Sequence, residues 1–151
     1  MFWFDKADPS ALFVDIRSEV VHEESVQGKR AVEIRPDLVA DFRSLPFPDD
    51  AFHLIVFDPP HLTRNGKRSR MALKYGSLST DWQADIAAGF EECFRCLKDH
   101  GTLIFKWNET DINLSAVLKL TPYTPLFGHR SGKAQRTHWI CFIKDDHHRY
   151  V

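Results

Sequence analysis

Cysteine is scarce, with three in 151 residues, and no secretory leader is expected before them. Nothing therefore suggests a disulfide framework, and a cytosolic setting is expected. An excess of one charge is also missing: 20 basic and 21 acidic side chains give a formal charge of −1. No global field draws this chain to nucleic acid. Long apolar runs are absent, and the start Met1-Phe2-Trp3-Phe4-Asp5 has no basic segment, so neither export nor a membrane span is expected. Repeats and low-complexity tracts are lacking too. What remains reads as one domain over 1–151, long enough for a core but short for a full doubly wound sheet.

The most informative stretch is Phe52-His53-Leu54-Ile55-Val56-Phe57-Asp58-Pro59-Pro60-His61. Leu54 to Phe57 show no polar alternation, the pattern of a strand covered on both faces. Pro59 and Pro60 have no N–H to donate and fix φ, so the chain must leave the sheet there. Their carbonyls stay available as acceptors beside the Asp58 carboxylate. A strand ending in clustered acceptors suits chemistry on an N–H donor.

Around this stretch the pattern alternates. Leu12 to Ile16 predicts a short buried strand ending near Asp15, and Val20–Glu24 with Arg30–Ile34 predicts a hairpin around Gln27-Gly28-Lys29. Leu38 to Asp41 predicts another short strand, followed by the loop Leu45-Pro46-Phe47-Pro48-Asp49-Asp50. Residues 62–79 read as a long loop. From Thr80 to His100, Trp82, Ile86, Phe90, Cys93, Phe94 and Leu97 form one helical stripe. A capping box of Thr80 with Gln83 opens it, and Gly101 closes it. Thr102 to Trp107 is the next expected strand and Asp111 to Leu120 a short helix. Strands over Thr124–Phe127 and Thr137–Lys144 come last, joined through Gly128 to Arg136. The tail Asp145-Asp146-His147-His148-Arg149 is expected to be solvated and frayed.

Strands alternating with helices and closing in a hairpin predict an α/β three-layer domain with a mostly parallel sheet. Ligands in such sheets sit at the carboxyl ends of the strands. Asp15, Asp41 and Asp58 each end a predicted strand, so all three should line one edge.

With these residues in place, the chain resembles the class I S-adenosylmethionine-dependent methyltransferases, most closely those that methylate adenine N6 or cytosine N4 in nucleic acids. Their Rossmann-like fold carries an (Asp/Asn)-Pro-Pro-(aromatic) turn after the fourth strand, matched here by Asp58-Pro59-Pro60-His61. Asp41-Phe42-Arg43-Ser44-Leu45-Pro46-Phe47 is similar to their segment after the third strand. The resemblance implies S-adenosyl-L-methionine as cofactor, with Asp41 accepting from its adenine amine, Phe42 beside it and Asp15 on its ribose. It also implies that Asp58, Pro59, Pro60 and His61 hold the target amine. Asp15 can equally be a local partner of Arg17. His61 departs from the usual Tyr, Phe or Trp, and can either stack on a base or cap the loop. Lys106, Trp107 and Asn108 end the fifth strand at the same edge, Trp107 reading as core.

Two basic loops stand on this neutral chain. Arg64, Lys67, Arg68, Arg70 and Lys74 form the first, with no acid between Asp58 and Asp81. Arg130, Lys133 and Arg136 form the second, and both should flank the same edge. Each alone is an ordinary solvated face; together they make nucleic acid, DNA foremost, the expected partner. Cys93-Phe94-Arg95-Cys96 lies on the amphipathic helix with no second pair, so packing explains it better than redox or zinc chemistry.

The family's glycine-rich first motif is missing. The glycines stand at 28, 66, 76, 89, 101, 128 and 132, and none follows an early strand and opens a helix. In the family's order the first strand lies mid-sheet, so its loss would leave backbone groups without partners. Three readings follow: the chain is a shortened form of a longer enzyme, a second copy or partner chain completes the sheet, or strands two and four of the family's order pair directly and the pocket is altered. The functional alternatives are a binding module that has lost the cofactor site and a methyltransferase for small amines.

Overall fold

The computed structural model describes residues 3–5, 7–25, 28–63 and 75–149. The basic loop 64–74 lies outside the described residues, and Arg64, Lys67, Arg68, Arg70 and Lys74 with it. The chain is mixed α/β. In order it forms β1 (Val14–Asp15), β2 (Glu19–Ser25), β3 (Gly28–Ile34), β4 (Leu38–Val39) and β5 (Phe52–Phe57). Then come α1 (Trp82–Cys96), β6 (Leu97–Asn108), α2 (Leu114–Val117), β7 (Phe127–Ser131) and β8 (Thr137–Ile143).

The sheet is not mostly parallel, and this corrects the expectation. The largest sheet has four strands in the order β5-β6-β8-β7. Only β5 and β6 run parallel, while β8 is antiparallel to both β6 and β7. β1 and β4 form a separate parallel pair, and β2 with β3 the expected antiparallel hairpin. Among the described residues β5 pairs only with β6, and with Leu54 49% exposed it is not a strand covered on both faces. Its run Leu54 to Phe57 is apolar throughout although Phe57 packs inward and Leu54 is open to solvent.

One face of the large sheet carries the core. Phe57, Leu103, Phe105, Trp107, Ile140 and Phe142 pack with Ile86, Phe90 and Phe94 of α1. Ring contacts tie the layers, with Phe90 4.9 Å from Phe105 and Phe57 5.7 Å from both. The stripe seen in the sequence explains this packing. Its ends differ from expectation. Asp81 is the N-cap without a side-chain bond, and the Ser79 hydroxyl accepts the Asp81 N–H at 3.1 Å, so the Thr80–Gln83 box does not form. The helix stops at Cys96, where Leu97 turns extended (φ −74°, ψ 139°). The left-handed position belongs to His100 (φ 62°). Gly101 serves close approach instead, since a Cβ there would stand 2.7 Å from the Lys98 carbonyl oxygen.

The predicted helix over 111–120 is a single turn, α2, running into a 3-10 turn at Leu118–Leu120. The strand placed at Thr124–Phe127 begins at Phe127 and extends through Ser131. Gly128 to Arg130 looked like loop because this outer strand is exposed along most of its length. The tail is held rather than frayed: Asp145 accepts from the His147 and His148 N–H groups, and Thr124 donates to the His148 carbonyl at 2.6 Å. No described helix is long and apolar enough to cross a membrane.

Candidate functional site

β5 ends at Phe57, and the turn that follows is anchored on both sides. Pro59 and Leu62 are buried. The Leu62 carbonyl accepts from Leu78 N–H at 3.0 Å, and Thr63 N–H donates to Asp111 Oδ2 at 3.1 Å. Gly76 lies against the Pro60 ring, where a Cβ would sit 3.3 Å from Cγ. Asp58 therefore projects from a fixed turn.

Parallel pairing sets Phe57 opposite Phe105, which brings the next residues side by side. Lys106 Nζ donates to Asp58 Oδ2 at 2.6 Å, and lies 5.7 Å from the centre of the Trp139 ring. Trp139 in turn donates its indole N–H to the Ser131 hydroxyl at 3.2 Å. His61 meets Trp107 edge-on at 6.3 Å. Burial pushes the His61 imidazole below its ordinary value, against the attraction of Asp58 and with the repulsion of Lys106. Trp107 is fully buried and donates to the Ile112 carbonyl at 3.0 Å, as its reading as core required.

The β7–β8 turn reaches the same edge. Asn108 pairs with Thr137, and Arg130 with His138, so Arg130, Lys133 and Arg136 flank the end of β6. Two acids that the sequence did not single out organise this corner. Glu109 donates its N–H to the Arg136 carbonyl at 3.0 Å and lies 3.9 Å from the Arg130 guanidinium. Its Oε1 is 2.9 Å from Nε2 of the buried His138, although that contact is not aligned as a hydrogen bond. His138 beside it holds the Glu109 carboxyl below its ordinary value. Asp111 is the acceptor for Thr63. The signal for both was the pair of acids directly after a strand end, in Glu109-Thr110-Asp111.

Asp15 ends β1, while Asp41 and Asp58 follow β4 and β5. Among the described residues β1 and β4 form a sheet separate from that of β5, so no single sheet edge carries all three, contrary to expectation. β1 and β4 pair as Val14↔Leu38 and Asp15↔Val39, which sets Asp15 and Asp41 at one end of that small sheet. Phe42 packs 5.4 Å from Phe57, so the residues after Asp41 and before Asp58 touch. Both acids are occupied internally. Asp15 Oδ1 accepts from the Arg17 backbone N–H at 2.9 Å and its Nε at 3.1 Å. Asp41 is gripped more fully by Arg43, with Nη2 2.6 Å from Oδ2, and the same guanidinium reaches Asp85 at 2.8 Å. That grip holds the Asp41 carboxyl below its ordinary value.

These acceptors suit the hydroxyls and amine of an adenosine only where the arginines yield. For the methionine end of S-adenosylmethionine the described residues do not fit. The described glycines lie in the β2–β3 hairpin, against Pro60, in α1, in β6, in β7 and in the β7–β8 turn, and none forms a cradle beside β1. Among the described residues no group of three His, Cys, Asp or Glu side chains could hold a metal ion. All three cysteines are buried and free, and burial pushes the Cys93 thiol far up.

No protein-family model matches the chain. No curated protein matches it either. Among solved structures it is similar to the PH0226 protein from Pyrococcus horikoshii OT3, at 14% sequence identity and a TM-score of 0.48, over 72% of this chain. The chain spans 58% of that protein's length.

Proposed function

We propose that the carboxyl edge of β5 and β6 is the amine-holding half of a methyltransferase site, acting on an exocyclic amine of a nucleic-acid base. The observation that carries this reading is the Asp58 carboxylate, fixed by the Pro59-Pro60 turn where β5 ends beside Lys106 of β6. The amine of adenine or cytosine is a poor nucleophile because its lone pair is delocalised into the ring. Asp58 and a main-chain carbonyl of the proline pair accept its two N–H bonds and draw the nitrogen towards tetrahedral geometry. Alignment of this kind, together with stabilisation of positive charge arriving on nitrogen, is what the turn contributes. The carboxylate then takes up the proton that nitrogen must lose. His61 stays neutral under burial and lends its ring to the base.

S-adenosyl-L-methionine is the proposed methyl donor and supplies an electrophilic methyl when bound. Asp15, Asp41 and Phe42 form the side proposed to meet its adenosine. Arg130, Lys133 and Arg136, with Arg64, Lys67, Arg68, Arg70 and Lys74, are the proposed phosphate contacts on DNA, from which a duplex base would be flipped at about a few kcal/mol. A second copy or a partner strand on the open edge of β5 is the proposed source of the absent cradle.

A second reading has its own observation. Arg17 and Arg43 already fill Asp15 and Asp41, as in a binding module that no longer takes the cofactor. Calorimetry with S-adenosylmethionine separates the two. Heat of binding that disappears in Asp41→Ala supports the enzyme, while a folded sample that shows no binding supports the module.

A further inference from the structure

Lys106 is tied to the proposed amine acceptor rather than to solvent. Its ammonium donates to Oδ2 of Asp58 at 2.6 Å, and both side chains are about one-third exposed, 28% and 36%. Asp58 Oδ1 has no hydrogen-bond partner among the described residues. The ammonium also faces Trp139, whose indole is fixed by the Ser131 hydroxyl. β6 and β8 hold this arrangement through the Lys106↔Trp139 register pair. A carboxylate offers two oxygens, and an occupied Oδ2 fixes the plane in which the other is presented.

We propose that Lys106 is the positioning residue of this site: by occupying Oδ2 it sets the carboxylate plane and leaves Oδ1 as the oxygen that receives the amine. This rests on the reading of Asp58 as the amine acceptor and adds what orients it. The bond from Lys106 ends on Oδ2 of Asp58, so its effect on the amine passes through that carboxylate. An isolated surface ion pair holds its partner loosely. Here the lysine stem is set in a twelve-residue strand, and the acceptor leaves a turn fixed by two prolines.

The test measures recognition of the amine by direct binding. The full chain is titrated with a single-stranded decamer of deoxyadenosine and with the matching decamer of purine deoxyriboside, which lacks the exocyclic amine. A bond from the amine to a fixed carboxylate gives the wild type about tenfold preference for the first. Asp58→Ala removes that preference; if it does not, the underlying reading of Asp58 is wrong. Lys106→Met also removes it, with binding of the purine decamer unchanged, and Lys106→Arg restores most of it. Preference retained by Lys106→Met but lost in Asp58→Ala overturns the role of Lys106 and leaves the reading of Asp58 intact. A wild type without preference overturns both.

Discussion

Arg43 closes on Asp41 at 2.6 Å while the other arm of its guanidinium holds Asp85 at 2.8 Å. One side chain thus joins the segment after β4 to the first turn of α1. Arg43 lowers the Asp41 carboxyl directly. At Asp85 burial works the other way, and the bonds from Ser79 and Arg43 outweigh it. Both carboxyls are depressed in the folded chain, so their stabilisation is present above the unfolded value of about 4 and is lost as pH falls through the folded values. Arg43→Gln should cost about 0.5–1 kcal/mol at pH 7. Its deficit against wild type should shrink below pH 4 in urea titrations, and a deficit constant with pH would contradict this linkage.

Gly89 sits where α1 crosses Phe42 and Phe57. A Cβ there would stand 2.6 Å from the Phe57 ring and 2.8 Å from that of Phe42. Gly89→Ala gains about 1 kcal/mol of helix propensity and meets overpacking of about 1–3 kcal/mol. A net loss near 1 kcal/mol in chemical denaturation is expected, and a stabilised variant would show that the helix moves away freely.

His61 gives a second pH dependence. Its folded value lies below the ordinary 6.5 because burial disfavours the charged ring. The unfolded chain then takes up the proton first, so stability falls as pH drops below about 6.5 and is full above it. His61→Gln should remove this part of the slope. Stability curves of the two proteins should converge between pH 7 and 5, and parallel curves would count against a half-buried imidazole that resists protonation.

The β7–β8 turn makes an ionic-strength prediction. Arg130, Lys133 and Arg136 changed together to Gln should lower the steepness of the affinity–salt plot for single strands by about 0.7 for each phosphate no longer neutralised. Arg130, drawn towards Glu109, should contribute least. An unchanged slope would remove this turn from the interface.

Much of this molecule was legible in its residues, for identifiable reasons. α1 announced itself because a helix packed on one face must repeat its apolar residues, and Ile86, Phe90, Cys93 and Phe94 do. The hairpin β2–β3 showed through its alternation. The direction of the sheet was not legible: β5 and β8 are both apolar runs, and nothing in such a run encodes whether its neighbour is parallel. β7 was misplaced because an exposed edge strand tolerates Gly128, His129 and Arg130, the residues of a loop. In the site, Asp58, Asp41 and Asp15 stood out as acids at strand ends. Glu109 and Asp111 did not, since their work is to hold other segments in place, through Arg136 and Thr63, and such partners are distant in sequence. The arginines two residues after Asp15 and Asp41 were visible, but only the folded loops show how completely Arg43 grips its acid.

Asp58 is the centre of the proposed site, and transfer of a labelled methyl group from S-adenosylmethionine to single-stranded DNA tests that role most directly. The full chain should label adenine N6 or cytosine N4, and Asp58→Ala should lower the rate about 100-fold or more while leaving the fold and cofactor binding unchanged. Equal labelling by wild type and Asp58→Ala, or none by a folded wild type, would contradict it.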